Sequence, residues 1–258
     1  MKYSSLKLFY RENKKKSPLI VFIHGAACDH TLWCFQRRYF FNRGYSTLAL
    51  DLPGHGKNTD NPLLNIYDMR KIICDFLKKV PQDDIILIGH SMGSLIALDS
   101  AFSKITKIKK IFLIGIAYPM QVSANLLNKS KNNQDDAILD MINWSLPAEI
   151  KLTGANLTGL NLPNLVSVIM GNAKKGILFK DLNACNNYKL KEVDIKSISQ
   201  TFTIITGDKD IMTPYKSAEN LNQLLSKSKL IKLKDTGHFA PLEKPVEINR
   251  LIEKTLDY

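Results

Sequence analysis

Cysteine and long apolar runs are both scarce in this sequence. Four cysteines occur among 258 residues, at positions 28, 34, 74 and 185, and their spacing is not that of a metal site. The longest apolar runs, such as IFLIGIAY at 111–118, are far shorter than the roughly 20 residues of a membrane-spanning helix. A lysine run near the N-terminus stands where a secretory signal would place its apolar stretch. We therefore expect a cytoplasmic protein with reduced thiols, no membrane span and no bound metal.

Acidic residues are too few to balance the charge of the chain. There are 36 lysines and arginines against 24 aspartates and glutamates, so the formal net charge is +12. A basic protein can bind nucleic acid by releasing its counterions. The basic clusters at 14–16 and 107–110, however, have no aromatic residues between the charges. A solvated surface is the better interpretation, and we expect no nucleic-acid partner.

Short β-branched runs alternate with segments in which apolar residues recur at three- and four-residue steps. This alternation is typical of a parallel sheet that is covered by helices on both faces. Six runs are predicted as strands, at 18–24, 45–51, 84–90, 109–116, 201–208 and 228–235. A further strand at 6–12 is expected to pair antiparallel at the edge. The sequence thus predicts an α/β fold with a doubly wound, mostly parallel sheet.

The alternation breaks between residues 118 and 200, where no strong strand occurs. This stretch contains several Asn, Gly and Pro residues, predicted helices at 135–144, 163–172 and 177–188, and a predicted ordered loop at 152–164. We interpret it as an insertion in the sheet. The expected organisation is a core domain of residues 1–117 and 201–258, interrupted by a helical insertion at 118–200.

The segment IILIGHSMGS at 85–94 contains the pattern G-x-S-x-G between an apolar strand and a helix. A serine on such a tight turn needs small neighbours, which Gly89 and Gly93 provide. Ser91 is therefore the candidate nucleophile. The same turn directs the amide of Met92 and the start of the helix toward the Ser91 hydroxyl, where negative charge would develop in a reaction.

A serine nucleophile requires a histidine base that is oriented by a carboxylate. Of the five histidines, His238 alone lies in the C-terminal part, just after the last predicted strand. The segment after the strand at 201–208 contains two acids, of which Asp210 is preferred and Asp208 is the alternative. Asp235 is a weaker third candidate. The order Ser91, Asp210, His238 is the one expected for this arrangement.

The loop after the first long strand contains His24, Gly25 and Ala26, and the amide of Ala26 is the best candidate for a second oxyanion donor. Five segments of the chain are similar to motifs of a known protein family: HGAACDHTLW, DLPGHGKN, GHSMGS, TGDKDIMTP and GHFAPLEKP. Together, over residues 18–117 and 201–258, they resemble the α/β-hydrolase superfamily in its small esterase-like branch. DLPGHGKN departs from the commoner pattern, because Asn58 stands where a serine often follows.

This resemblance implies that the insertion at 118–200 is a helical cap, which follows the strand at 109–116 and lies over the sheet. It also implies hydrolysis through an acyl-enzyme, with no metal or organic cofactor. It carries over Ser91, Asp210 and His238 as the catalytic triad, and Ala26 and Met92 as the oxyanion donors. The candidate substrate-binding residues are His24, Gly25, Met120, Trp144 and Phe239. Because a cap must bury its inner face above Ser91, candidates for an apolar pocket are Met120, Met141, Trp144, Met170, Phe179 and Cys185.

The expected activity is hydrolysis of carboxylic esters of small or medium-sized, partly apolar substrates. The partners would be the ester and water, and the protein a monomer or homodimer. A thioesterase, a lactonase or a hydrolase of carbon–carbon bonds would use the same three residues. A non-catalytic ligand-binding protein on the hydrolase scaffold is the alternative outside the enzymes.

Overall fold

A seven-stranded sheet forms the centre of the computed structural model, which describes residues 6–13, 16–154, 160–190, 198 and 200–256. The strands are β1 (Lys7–Arg11), β2 (Lys16–Ile23), β3 (Tyr45–Asp51), β4 (Ile85–His90), β5 (Ile108–Ile114), β6 (Thr201–Gly207) and β7 (Ser228–Leu233). Their order in the sheet is β1-β3-β2-β4-β5-β6-β7. β1 is antiparallel to β3, and the other neighbours pair in parallel. The predicted α/β class and the antiparallel edge strand are confirmed.

Helices flank the sheet. Those that alternate with strands are α1 (Cys34–Asn42), α2 (Ile66–Leu77), α3 (Met92–Ser100), α9 (Tyr215–Leu224), α10 (Ala240–Glu243) and α11 (Pro245–Glu253). Between β5 and β6 lie α4 (Ala124–Asn132), α5 (Gln134–Ser145), α6 (Ala148–Thr153), α7 (Leu162–Gly171) and α8 (Ile177–Asn187). We refer to these five helices as the cap helices. Part of the loop predicted at 152–164, residues 155–159, lies outside the described residues.

The local sequence explains why these segments adopt their structures. In α2, Met69, Ile73 and Leu77 lie four residues apart, so one face of the helix is buried, and the helix packs against α3. The helix begins at Asn65, whose side chain accepts a hydrogen bond from the backbone N–H of Asp68. β4, in contrast, is buried along its whole length, which accounts for its continuous apolar sequence. No helix within the described ranges is both long and apolar enough to cross a membrane.

The order of the strands creates a crevice at one edge of the sheet. From β2 the chain passes to β3 on one side of it, and later returns to β4 on the other side. The loops that follow β2 and β4 therefore diverge at their carboxyl ends. Ligands of open α/β sheets bind at this kind of reversal point. The turn with Ser91 follows β4, and the loop with His24, Gly25 and Ala26 follows β2.

The turn after β4 packs so closely against the end of β2 that there is no room for a side chain at residue 93. A Cβ atom on Gly93 would lie 2.4 Å from the carbonyl oxygen of Ile23. A Cβ atom on Gly89 would approach the Gly93 carbonyl oxygen even more closely, at 2.1 Å. The hydroxyl of Ser94 donates to the carbonyls of Gly89 and Ile114, at 2.8 and 2.9 Å, and ties the turn to β5. Small residues at 89, 93 and 94 are thus a packing requirement.

Gly93→Ala is expected to lower the free energy of unfolding by more than about 2 kcal/mol, because the added methyl group forces the turn away from β2. Urea denaturation measures the change. Gly171→Ala is the matched control, since nothing lies within 4 Å of a Cβ at that helical position. There the substitution should raise stability by about 0.5–1 kcal/mol. Equal effects at both positions would contradict the close packing.

Lys104→Gly is expected to stabilise the protein by about 1 kcal/mol, because Lys104 adopts a left-handed conformation with a φ of 54°. The control is Lys254→Gly. Lys104 follows a short 3-10 helix, Ala101–Ser103, and Lys254 follows α11; both lysines are exposed. The φ of Lys254 is −55°, so glycine should be destabilising at that position. Thermal unfolding of both variants checks the opposite signs. Destabilisation by Lys104→Gly would show that its backbone is not strained.

Candidate active site

Ser91 stands at the tip of the turn between β4 and α3. Its φ and ψ are 53° and −117°, an unusual conformation for a non-glycine residue. The backbone N–H donates to the carbonyl oxygen of Ile114 at 2.9 Å, which holds the turn in place. Strained backbone of this kind is concentrated at functional sites. The half-buried side chain of Ser91 faces a cavity under the cap helices.

His238 and Asp210 meet beside this cavity, although 27 residues separate them in the chain. Asp210 follows β6 and His238 follows β7, so both lie at the carboxyl edge of the sheet. The imidazole Nδ1 of His238 donates to Asp210 Oδ2 at 2.8 Å. Both side chains are buried, and His238 lines the same cavity as Ser91. Because Nδ1 is bonded to Asp210, Nε2 is the ring nitrogen available to accept a proton in the cavity.

Thr213 is a member of this cluster that sequence reasoning missed. Its hydroxyl donates to Asp210 Oδ2 at 2.6 Å, and its backbone N–H donates to Oδ1 at 2.9 Å. Burial by itself raises the pKa of Asp210, but the charge and hydrogen bond of His238 and the bonds from Thr213 outweigh it. The pKa of Asp210 therefore lies below its usual value, and the carboxylate is ionised at neutral pH.

The two alternative acids lie elsewhere. Asp208 is exposed and accepts a hydrogen bond from the backbone N–H of Thr236 at 3.3 Å. Asp235 is exposed and lies beside Lys234 at 4.0 Å. Of the three acids that the sequence suggests, Asp210 is the one that contacts His238.

Backbone hydrogen bonds hold the loop with His238 from two sides. Its N–H donates to the carbonyl oxygen of Ser145, at the end of cap helix α5, at 2.7 Å. Its carbonyl oxygen accepts a hydrogen bond from Nε2 of His90 at 2.9 Å. Burial and the neighbouring His238 lower the pKa of His90 to about 3, so its ring is neutral. The preceding Gly237 donates its N–H to Glu243 at 2.7 Å.

The loop after β2 lies directly against Ser91. A Cβ atom on Gly25 would be 3.2 Å from that of Ser91, and Ala26 lines the cavity. His24 is fully buried behind the loop, where its Nδ1 donates to the carbonyl of Gly25 at 2.8 Å. Its Nε2 accepts from the backbone N–H of Leu52 at 3.3 Å. Burial lowers the pKa of His24 to about 4, so the ring acts as a neutral support for the loop.

The cavity has a volume of about 230 Å³ and a mostly apolar wall. Four of the predicted pocket residues line it: Met120, Met141, Trp144 and Cys185. Met170 and Phe179 lie elsewhere in the cap helices, and His24, Gly25 and Phe239 are not part of the wall. The sequence analysis missed further wall residues, namely Gln121, Val122, Ser123, Leu126, Leu182, Ile211, Met212 and Thr213. No wall residue in the described part of the chain is Lys, Arg, Asp or Glu.

A separate cluster has side chains of the types that bind metal ions. The ligand atoms of Asp29, His30 and Asp51 lie within 4.8 Å of one another. Asp51 already accepts hydrogen bonds from the N–H and the ring of His30 and from the N–H of Lys57. Asp29 accepts from both the N–H and the hydroxyl of Thr31. These bonds occupy Oδ1 of Asp29 and both carboxylate oxygens of Asp51, and they order the loop after β2.

Known proteins resemble this chain in sequence and in fold. A protein of Mycoplasma pneumoniae provisionally named esterase/lipase 2 is 25% identical over 248 residues, which cover 90% of this chain and 86% of that protein. An esterase of Exiguobacterium antarcticum superposes with a TM-score of 0.82 at 18% identity, over 98% of this chain and 96% of the other. The enol-lactonase of Burkholderia xenovorans gives a TM-score of 0.82 at 16% identity, over 98% and 97% of the two chains.

The match to a family model extends from β2 through the cap helices to the start of α11. The model describes the alpha/beta hydrolase fold and matches residues 18–245. This range includes Ser91, Asp210 and His238, together with the loop after β2. The chain therefore belongs to the α/β-hydrolase fold family.

Proposed function

We propose that this protein is a serine hydrolase that cleaves carboxylic esters. The observation that carries the proposal is the buried pair of His238 and Asp210, at 2.8 Å, in which His238 lines the same cavity as Ser91. A serine, a histidine and a carboxylate in this relation are the elements of nucleophilic acyl transfer. The esterase-like relatives support the same reaction class.

In the proposed mechanism, the Ser91 hydroxyl attacks the carbonyl carbon of the ester, and Nε2 of His238 takes its proton. Asp210 holds the ring through Nδ1 and stabilises the imidazolium; its lowered pKa keeps it anionic throughout. The amides of Ala26 and Met92 receive the oxyanion. His238 then protonates the leaving alcohol, and an acyl group remains on Ser91. A water molecule, activated by His238, attacks the acyl-enzyme and releases the acid.

The cavity indicates the class of substrate. Its volume of about 230 Å³ is below the range of drug-sized ligand pockets, roughly 300–1,000 Å³. Apolar side chains from cap helices α5 and α8 form much of its wall, including Met141, Trp144 and Leu182. Because the wall residues include no Lys, Arg, Asp or Glu within the described ranges, a charged acyl group would lack a partner. We therefore propose short, neutral, partly apolar esters as substrates.

Thioesters, lactones and activated carbon–carbon bonds would pass through the same three residues. None of the contacts described above favours one of them over a simple ester. Acyl-CoA thioesters and homoserine lactones, assayed beside p-nitrophenyl esters, separate these possibilities by their kcat/KM values.

Substitution in the triad tests the mechanism. Ser91→Ala should abolish both hydrolysis of p-nitrophenyl butyrate and labelling by a fluorophosphonate probe, because the nucleophile is lost. Asp210→Asn should lower kcat by about 10³–10⁴-fold, since the imidazole is no longer held in the reactive tautomer. Asp208→Asn is the matched control and should stay within about twofold of wild type. The proposal would be contradicted if the Ser91→Ala variant still hydrolysed the ester or was still labelled by the probe. It would also be contradicted if the probe did not label the wild-type protein.

The size of the cavity predicts a limit on chain length. Acetate to hexanoate esters should be hydrolysed with a higher kcat/KM than esters of twelve or more carbons. Leu182→Ala should shift this preference toward longer chains by about tenfold, because it removes three carbon atoms from the wall. Leu152→Ala, in a cap helix but 88% exposed, is the control and should leave the preference unchanged. Equal shifts in both variants would place the acyl chain outside this cavity.

A further inference from the structure

Asp181 joins a cap helix to the loop beside the candidate nucleophile. It lies on α8, and its side chain is completely buried. Its Oδ2 atom accepts two hydrogen bonds, one from the backbone N–H of Ala27 and one from Nε2 of His55, both at 2.8 Å. Both partners belong to the segment between β2 and α2, so one cap carboxylate contacts two loops at the carboxyl edge of the sheet.

The contact with Ala27 falls at a strained point of the loop after β2. Ala27 has a φ of 52°, a left-handed conformation that costs a non-glycine residue about 1–2 kcal/mol. The N–H of Cys28 donates to the carbonyl of Gly25 at 3.2 Å and closes the turn around Ala26 and Ala27. Such strain persists only where the surroundings hold it. The carboxylate of Asp181 supplies that hold, one residue from the wall residue Ala26.

The contact with His55 makes Asp181 part of a buried ion pair. Nδ1 of His55 faces the carbonyl oxygen of Pro53 at 3.0 Å, and Nε2 faces Asp181. Both ring nitrogens therefore face acceptors, which only the doubly protonated imidazolium can satisfy. Burial lowers the pKa of His55, but the charge of Asp181 and these hydrogen bonds outweigh it and raise the pKa above its usual value.

Stability alone does not account for this pair. The second oxygen of Asp181, Oδ1, is buried without a hydrogen-bond partner among the described residues. A buried ion pair with an unsatisfied oxygen is costly, and apolar residues of similar volume commonly fill such a site at no loss of stability. The position of the Asp181 carboxylate instead indicates a role in holding the loop after β2.

We propose that Asp181 is a positioning residue for the oxyanion donor, so that docking of the cap helices and assembly of the oxyanion site are one event. This inference rests on the proposed function, in which the amide of Ala26 receives the oxyanion. A second contact works in the same direction, because the cap carbonyl of Ser145 holds the N–H of His238. Both core loops that contribute to the reaction are thus bonded to the cap helices, and a cap that moves away leaves neither loop fully held.

The experiment compares Asp181→Ala, Asp181→Asn and wild type in turnover of p-nitrophenyl butyrate. Loss of one oxyanion donor costs about 10²–10³-fold in kcat, and a displaced donor should cost about 10–100-fold in Asp181→Ala. KM should stay within about twofold, since the carboxylate does not line the cavity. Asp181→Asn keeps an acceptor for the Ala27 N–H and should retain a larger part of kcat, even if Asp181→Ala folds poorly.

Hydrogen exchange of the segment 24–29 gives a readout that does not depend on catalysis. Exchange at Ala27 should accelerate by at least about tenfold in Asp181→Ala. Asp140→Ala is the matched control: Asp140 is a cap carboxylate that pairs with Lys129 at 2.6 Å, and neither residue lines the cavity. This variant should leave both kcat and exchange unchanged.

Unchanged exchange at Ala27 would overturn the inference, as would a rise in KM with no loss of kcat. Turnover that survives Ser91→Ala would instead overturn the proposed function, and the catalytic role of Asp181 with it. The exchange measurement distinguishes the two failures, because it reports on the loop whether or not Ser91 reacts.

Discussion

The close approach of the turn after β4 to the end of β2 is the constraint on which the candidate site depends. Only because residue 93 lacks a side chain can the start of α3 lie against the carbonyls of Ile23 and His24. This packing brings Ser91 beside Gly25 and Ala26 at the point where the strand order reverses. The candidate nucleophile and the loop with the proposed amide donor of Ala26 are thereby juxtaposed by backbone geometry, without any flexible side chain to set the distance.

The pKa values of the buried histidines around this point shift in different directions because their neighbours differ. His24 receives a backbone N–H on one ring nitrogen, so its neutral form is favoured, and burial lowers its pKa to about 4. His55 faces acceptor oxygens on both nitrogens, and its pKa is raised. His90 supports the carbonyl of His238 as a neutral ring. The fold thus assigns a separate electrostatic role to each imidazole at one edge of the sheet.

The cap helices are more than a cover for the cavity. They contribute apolar wall residues, but they also accept hydrogen bonds from the backbones of His238 and Ala27 through Ser145 and Asp181. Residues of the sheet loops and of the cap helices therefore hold these two loops together.

Much of the fold and part of the site could be predicted from the sequence. The strands, the edge pairing of β1 and the turn around Ser91 follow from local patterns, because apolar periodicity and small residues act over a few neighbours. The contacts of Thr213 and Asp181 could not be predicted. Thr213 lies in the same turn as Asp210, and no sequence signal gives the direction of its hydroxyl. Asp181 contacts Ala27, which is distant in the chain. The wall of the cavity was only partly predicted, because helical periodicity identifies an apolar face but not what the face packs against.

The sequence by itself determined the α/β class and the candidate nucleophile. The tertiary structure placed the preferred acid, Asp210, in contact with His238. It alone decided which cap residues line the cavity with Ser91 and that a cap carboxylate holds the loop after β2, because these contacts arise only when remote segments pack together.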